Sequence, residues 1–148
     1  MTGAPDPSIL LPVLALVAAA GGLGAVARYG VNALLARAAP RFPWGVLVVN
    51  VLGSALGGAG LGGLVVWITA RGGGHWDAVA VALILLTGFC GGLTTFSTFA
   101  VDTVQLAERD EKLLKANLNV VANVVLGLGA AVVGYAITIA IPVVVPIP

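Results

Sequence analysis

Residues 88–100 read GFCGGLTTFSTFA, an unusually polar and glycine-rich stretch within a long apolar segment. Three glycines precede four hydroxyl side chains, and Phe96 and Phe99 are interleaved with the hydroxyls. Each glycine weakens a helix by about 1 kcal/mol relative to alanine. A helix broken at membrane depth persists only where protein, water or an ion satisfies the freed backbone groups. We therefore predict a break over residues 91–94 that presents carbonyl oxygens suited to a hard cation such as Na⁺.

The composition around this stretch indicates an integral protein of the cell membrane. Hydrophobic residues make up 59% of the 148 positions and charged residues 9%, whereas soluble domains carry roughly 25% charged residues. A net charge of +1 leaves no basic patch for a nucleic-acid partner. The single histidine, His75, has no evident partner for acid–base or nucleophilic chemistry, so we predict that the protein is not an enzyme.

Four apolar segments are each long enough to cross a bilayer as a helix, which takes roughly 20 residues. Their apolarity is continuous and lacks the alternation of membrane strands, which favours an all-α fold. We predict one domain of residues 1–148, with the third helix broken mid-membrane. The four spans are placed at about Ile9–Ala36, Gly45–Ala70, Ala78–Ala107 and Leu113–Ile141.

Basic residues are distributed unequally between the two ends of the predicted spans. Only Arg71 lies on the side of the termini, whereas five lie on the other side: Arg37, Arg41, Arg109, Lys112 and Lys115. The positive-inside rule then places both termini outside the cytoplasm.

The hydroxyl and phenyl groups separate onto two sides if a helix resumes after the break. Steps of about 100° per residue place Thr94, Ser97 and Thr98 on one arc, and Phe96 and Phe99 on the other side. Hydroxyls donate hydrogen bonds to an anion, and phenyl rings present a positive edge. Neither group adds a net charge that would trap a passing ion. Alternatively, the hydroxyls bond to their own helix and the rings pack against lipid or neighbouring helices.

Three polar side chains inside the spans each allow two interpretations. Arg28 either faces a protein or water-filled interior, where it needs a partner, or extends to the nearer interface. Asn50 either bonds a neighbouring helix or offers two N–H donors to a passing anion. Asp102, the only carboxylate within the spans, is either interfacial and structural or part of a site.

Small residues spaced four apart crowd the second span and let helix backbones approach closely. They predict either a dimer interface or close packing within the chain. The pairs are Gly53 and Gly57, Ser54 and Gly58, Gly58 and Gly62, and Ala59 and Gly63.

Three blocks of the sequence resemble the signature blocks of the CrcB/Fluc fluoride channels. They are GLGAVARY at 22–29, PWGVLVVNVLGS at 43–54 and GFCGGLTTFSTF at 88–99. The third block is long and specific, and the four-span layout covers nearly the whole chain. The resemblance implies a fluoride-selective channel that exports fluoride from the cytoplasm by passive diffusion and lowers fluoride toxicity. It also implies a double-barrelled dimer of antiparallel four-helix subunits.

Roles for single residues follow from the same resemblance. A structural Na⁺, not transported, is held at the dimer centre by the backbone carbonyls of Gly91 and Thr94. Arg28 belongs to the first block and has a structural role. The residues that the resemblance places along the pores are Asn50, Phe96 and Phe99, with Thr95, Ser97 and Thr98 as a polar track.

The sequence departs from the family pattern in two places. Asp102 stands where a Glu is frequent, and Asn119 and Asn123 stand where a Tyr and then a Ser are usual. The role of the fourth span in the pore is therefore left open. The unequal basic residues favour a fixed orientation in the membrane. The antiparallel partner is then either a second copy of this chain or an oppositely oriented homologue.

Two other functions are compatible with four apolar spans. A small drug or cation antiporter couples transport through a membrane-embedded carboxylate, and the first, second and fourth spans have none. A non-transporting membrane assembly subunit would use its glycines for packing alone. Hydroxyls and ring edges suit chloride as well as fluoride, so the preference for fluoride comes from the resemblance.

Overall fold

The computed structural model describes residues 7–38, 42–70, 76–109 and 113–141, and its regular elements are all helices. Helix α1 is Pro7–Ala38 and α2 is Trp44–Ala70. The third span begins as α3 (Trp76–Ala82), continues as a π-helix (Leu83–Cys90) and closes its first half with the single turn α4 (Gly91–Leu93). Its second half is α5 (Phe96–Arg109), and the last helix is α6 (Leu114–Ala140).

Among the described residues, four helical segments are long and apolar enough to cross a membrane: Ser8–Arg37, Trp44–Ala70, Trp76–Arg109 and Leu114–Ala140. Large apolar side chains such as Leu23 and Leu128 point away from the bundle, as expected where lipid is the solvent. The predicted all-α membrane fold with four spanning helices is confirmed. The observed ends lie within a few residues of the predicted ones.

Helices α2 and α6 pack together through glycine. A Cβ added at Gly58 would collide with the carbonyl of Ala131, and one at Gly134 would collide with the carbonyl of Ala55. Only residues without a side chain let two helix backbones come this close. Gly58, one of the small residues singled out in the second span, therefore serves packing within the chain. At Gly57, by contrast, an added Cβ would have no atom of the described residues within 4 Å.

Helix α1 packs against the first half of the third span in the same way. A Cβ at Gly24 would meet the carbonyl of Phe89, and one at Gly92 would meet the carbonyl of Gly21. The sequence does not predict the π-helix that lies here. Such helices are rare in proteins, and those that occur are often found at functional sites. At its end, the Gly91 N–H donates to the carbonyls of Leu86 and Gly88.

The interruption of the third span falls at Thr94 and Thr95, where helical structure stops and Thr94 is extended (φ −79°, ψ 158°). The predicted break over 91–94 is thus displaced, because Gly91–Leu93 still forms a helical turn. The reason is packing: Gly92 is used for close approach to α1. The chain departs from the helix only where side chains of other helices take over the backbone groups.

Candidate functional site

The amide of Asn50 on α2 holds both backbone groups of Thr95. Its Oδ1 accepts the Thr95 N–H at 2.8 Å, and its Nδ2 donates to the Thr95 carbonyl at 3.2 Å. In a continuous α-helix the Thr95 N–H would bond to the carbonyl of Gly91. The Asn50 Oδ1 therefore replaces the helical acceptor that the Thr95 N–H gives up at the break, and the Asn50 Nδ2 adds a bond to the Thr95 carbonyl.

Arg28 on α1 binds Thr94, the residue that precedes Thr95. The Arg28 guanidinium Nη1 donates to the Thr94 carbonyl at 3.0 Å. Of the two interpretations of Arg28, the structure thus gives it a partner inside the bundle. Helices α1 and α2 together supply donors to the Thr94 and Thr95 carbonyls at the interruption.

Three hydroxyls gather where α5 begins. The Thr95 Oγ1 lies 3.0 Å from the Thr98 Oγ1 and 3.3 Å from the Ser97 Oγ, and it accepts the Thr98 N–H at 3.2 Å. Thr95 is thus the N-cap of α5, bonded to the third residue of the helix. Thr94 does not join this cluster as the helical arc predicted, because its hydroxyl bonds back to the Cys90 carbonyl of the preceding helical turn at 3.0 Å.

The two phenylalanines form a pair beside the hydroxyls. The ring centroids of Phe96 and Phe99 lie 5.6 Å apart with 53° between the planes. Phe96 is 79% exposed and Ser97 is also exposed, whereas Phe99 is half-buried. An aromatic and hydroxyl surface therefore lies on the outside of the single chain, next to the break.

Helix α6 brings two buried amides to the same place. Asn119 is fully buried and Asn123 is 9% exposed. Asn50 Nδ2 donates to Asn123 Oδ1 at 2.9 Å, and Asn123 Nδ2 donates to Asn119 Oδ1 at 3.0 Å. Sequence reasoning left these two residues without a role, although their spacing of four places them on one face of a helix.

Thr103, which sequence reasoning missed, connects these amides to α5. Asn119 Nδ2 donates to the Thr103 Oγ1 at 2.8 Å, and the Thr103 hydroxyl donates to the Phe99 carbonyl at 2.8 Å. The sequence could have indicated the bond from Thr103 to Phe99, because a Thr hydroxyl commonly bonds the carbonyl four residues earlier in a helix.

A cavity of about 580 Å³ opens where the C-terminal ends of α1 and α5 meet the N-terminal ends of α2 and α6. Thr98 lines it, so the cavity reaches the hydroxyl cluster. Arg109 and Lys115, two of the basic residues from which the sequence predicts a cytoplasmic end, line the same cavity as Asp102. Asp102 is thus placed beside the site and not within the hydroxyl cluster.

The oxygens available to a cation here are neutral. Within the described ranges, no group of three or more His, Cys, Asp or Glu side chains could hold a metal. The Gly91 carbonyl lacks its helical donor, since the Thr95 N–H goes to Asn50. Gly91 is exposed, and the Thr94 carbonyl accepts one bond from Arg28. Backbone oxygens of this kind are ligands that hard cations prefer.

The fold and the site define a four-span helical membrane protein whose third span is interrupted beside an aromatic and hydroxyl cluster. Residues 15–135 match the family model described as CrcB-like protein, Camphor Resistance (CrcB), and the chain belongs to this family. The resemblance seen in the three sequence blocks is thereby confirmed.

Curated relatives are similar over most of their length. The chain is 45% identical to the fluoride-specific ion channel FluC of Paracoccus denitrificans, with 82% of this chain and 90% of the relative covered. It is 44% identical to the fluoride-specific ion channel FluC 1 of Thermobifida fusca, covering 82% and 91%. It is 42% identical to FluC 1 of Nitrobacter hamburgensis, covering 82% and 90%.

Proposed function

We propose that this protein is a fluoride-selective channel that lets fluoride leave the cytoplasm by passive diffusion and so lowers its toxicity. The relatives named as fluoride-specific ion channels support this function. The observation that carries it is the segment after the break, where Phe96 and Phe99 stand beside hydroxyls at membrane depth. Uncharged donors and ring edges attract an anion without trapping it.

The polar track begins at the cavity. Basic residues at a cavity mouth raise the local concentration of anions, and Arg109 and Lys115 supply this charge. Thr98 is reached from the cavity, and its hydroxyl touches Thr95. An anion that sheds water at this point exchanges it for the hydroxyls of the cluster.

A second subunit completes the pathway in this proposal. Phe96 and Ser97 are exposed on the single chain, so the path is open on one side. An antiparallel partner would cover that side and enclose two pathways, one per subunit. The partner is a second copy or an oppositely oriented homologue, and lipid surrounds the remaining apolar surface.

The backbone carbonyls of Gly91 and Thr94 fit a structural Na⁺ that is not transported. Two neutral oxygens from one chain are few for a hard cation, so the ion would sit where two subunits meet. The Thr94 carbonyl has two lone pairs, and Arg28 uses one of them. Replacing Na⁺ by a large organic cation on both sides of the membrane should abolish fluoride flux if this ion holds the dimer together.

Fluoride release from proteoliposomes, followed with a fluoride electrode, tests the function directly. We expect rapid release from vesicles that contain the purified protein and slow release of chloride from the same vesicles. Phe96→Ile and Asn50→Ala should lose most of the flux, whereas an assembly subunit would release no fluoride in any form. Flux that needs a proton gradient and disappears in Asp102→Asn would favour an antiporter.

A further inference from the structure

Side-chain hydrogen bonds run without interruption from the break to the second turn of α5. The chain of donors is Thr95 N–H to Asn50, Asn50 to Asn123, Asn123 to Asn119, Asn119 to Thr103, and Thr103 to the Phe99 carbonyl. The bonds measure 2.8, 2.9, 3.0, 2.8 and 2.8 Å. We call these four side chains, Asn50, Asn123, Asn119 and Thr103, the amide relay.

The direction of every bond in the relay is determined by its two ends. A backbone N–H can only donate, so Thr95 requires Asn50 to present its oxygen. A backbone carbonyl can only accept, so Phe99 requires the Thr103 hydroxyl to donate. Each amide between them must accept on one side and donate on the other. Bonds aligned in this way polarise and strengthen one another.

Both N–H groups of Asn50 have acceptors, since Nδ2 donates to the Thr95 carbonyl and to Asn123. A passing anion would have to break one of these bonds to be bound by this amide. The relay thus gives Asn50 a different task from that of an anion ligand. It joins α2, α6 and α5 at the place where the third span is interrupted.

From this geometry we propose that Asn119, Asn123 and Thr103 are positioning residues for anion passage, which act through Asn50 by holding residues 95–99 at both ends. The inference rests on the proposed channel function. Residues 95–99 contain the hydroxyl cluster and both phenylalanines. One end of this segment is attached to Asn50 and the other to Thr103. Movement of either end would displace the rings relative to the hydroxyls.

A double-mutant cycle between two relay members that do not bond each other tests the proposal. Thr103→Val and Asn123→Leu remove the polar groups and keep the number and branching of the side-chain heavy atoms. If the relay acts as a unit, each single variant should slow fluoride efflux per reconstituted protein about tenfold. The double variant should then be at most about twofold slower than either single one, because the relay is already broken.

If the two substitutions acted independently, fluoride efflux of the double variant would be about a hundredfold slower than wild type, and this result would overturn the proposal. Thr103→Ser keeps the hydroxyl and should restore a near wild-type rate. Thr69→Val is the matched control, because Thr69 bonds only to carbonyls of its own helix, Val65 and Val66, and is exposed. A Thr103→Val rate equal to that of Thr69→Val would also overturn the proposal. A purely structural role would lower the yield of folded protein and leave the rate per protein unchanged.

Hydrogen exchange of the peptide that covers residues 94–99 separates this inference from the proposed function. If the folded wild-type protein releases no fluoride, the channel proposal fails, and exchange still decides whether the relay exists. We expect the Thr95 amide to exchange about tenfold faster in both Asn123→Leu and Thr103→Val than in wild type. Unchanged exchange at Thr95 in Thr103→Val would show that the two ends are not connected.

Discussion

The side chain of Asn50 occupies both backbone groups of Thr95, with its oxygen 2.8 Å from the N–H and its nitrogen 3.2 Å from the carbonyl. The two residues lie 45 positions apart in the chain. The Asn50 oxygen replaces the Gly91 carbonyl, which would have accepted the Thr95 N–H in a continuous helix. Side chains of other helices thus pair the Thr95 N–H and the Thr94 and Thr95 carbonyls, which stabilises the interruption.

Asn50→Ala leaves the buried Thr95 N–H without its acceptor and removes one of the bonds to the Thr95 carbonyl, and an unpaired buried group costs about 1–3 kcal/mol. We expect a lower thermal unfolding midpoint in detergent and fluoride efflux slower by about tenfold or more. Asn117→Ala, on the exposed side of α6, is the control and should match the wild type. Equal unfolding midpoints for the two variants would contradict the bonds between Asn50 and Thr95.

Thr95→Val removes the N-cap of α5 and the centre of the hydroxyl cluster. Loss of an N-cap costs about 1 kcal/mol, so we expect a modest loss of stability and a larger loss of fluoride flux. Thr95→Ser retains the hydroxyl and should keep most of both. A Thr95→Ser variant as impaired as Thr95→Val would show that the hydroxyl alone is not sufficient, and a Thr95→Val variant with wild-type flux would contradict a role for the hydroxyl.

Phe96→Ile changes a ring that is 79% exposed on the single chain, so the fold of the subunit should be unaffected. Fluoride efflux should nevertheless fall by at least about tenfold, because the aromatic edge is lost. Val104→Ile alters an exposed apolar residue of the same helix and serves as the comparison. If both variants release fluoride at the wild-type rate, Phe96 does not line the pathway.

Gly24→Ala and Gly22→Ala test the packing of α1 against the third span. A Cβ at position 24 would collide with the backbone of Phe89 and Leu93, whereas no atom lies within 4 Å at position 22. We expect Gly24→Ala to destabilise the protein by about 1–3 kcal/mol. Gly22→Ala should be neutral or slightly stabilising, since alanine favours a helix. Thermal unfolding of the two purified variants measures the difference.

Arg28→Met removes the charged donor from the Thr94 carbonyl. We expect fluoride efflux about tenfold slower, with Arg28→Lys intermediate because an ammonium group can still donate. An Arg28 that only extended to the interface would tolerate both changes. Wild-type efflux in Arg28→Met would therefore support the interfacial alternative.

Much of the fold can be read from local patterns in the sequence. Continuous apolarity over four segments predicts four helices, because lipid requires backbone groups to be paired within each segment. The grouping of glycines, hydroxyls and phenylalanines at 88–100 marks the third span as the unusual one. The pattern does not place the interruption, since glycine serves close packing as well as helix breaking, and Gly92 does the former.

Composition and local spacing in the sequence suffice to predict four membrane-spanning helices and to mark the third as the unusual one. Only the tertiary structure decided that the helix stops at Thr94 and Thr95, that Asn50 holds the break, and that Asn119 and Asn123 belong to it. The physical reason is distance along the chain. Asn50 and Asn123 are 73 positions apart, and their bond exists only because close helix packing brings α2 and α6 together.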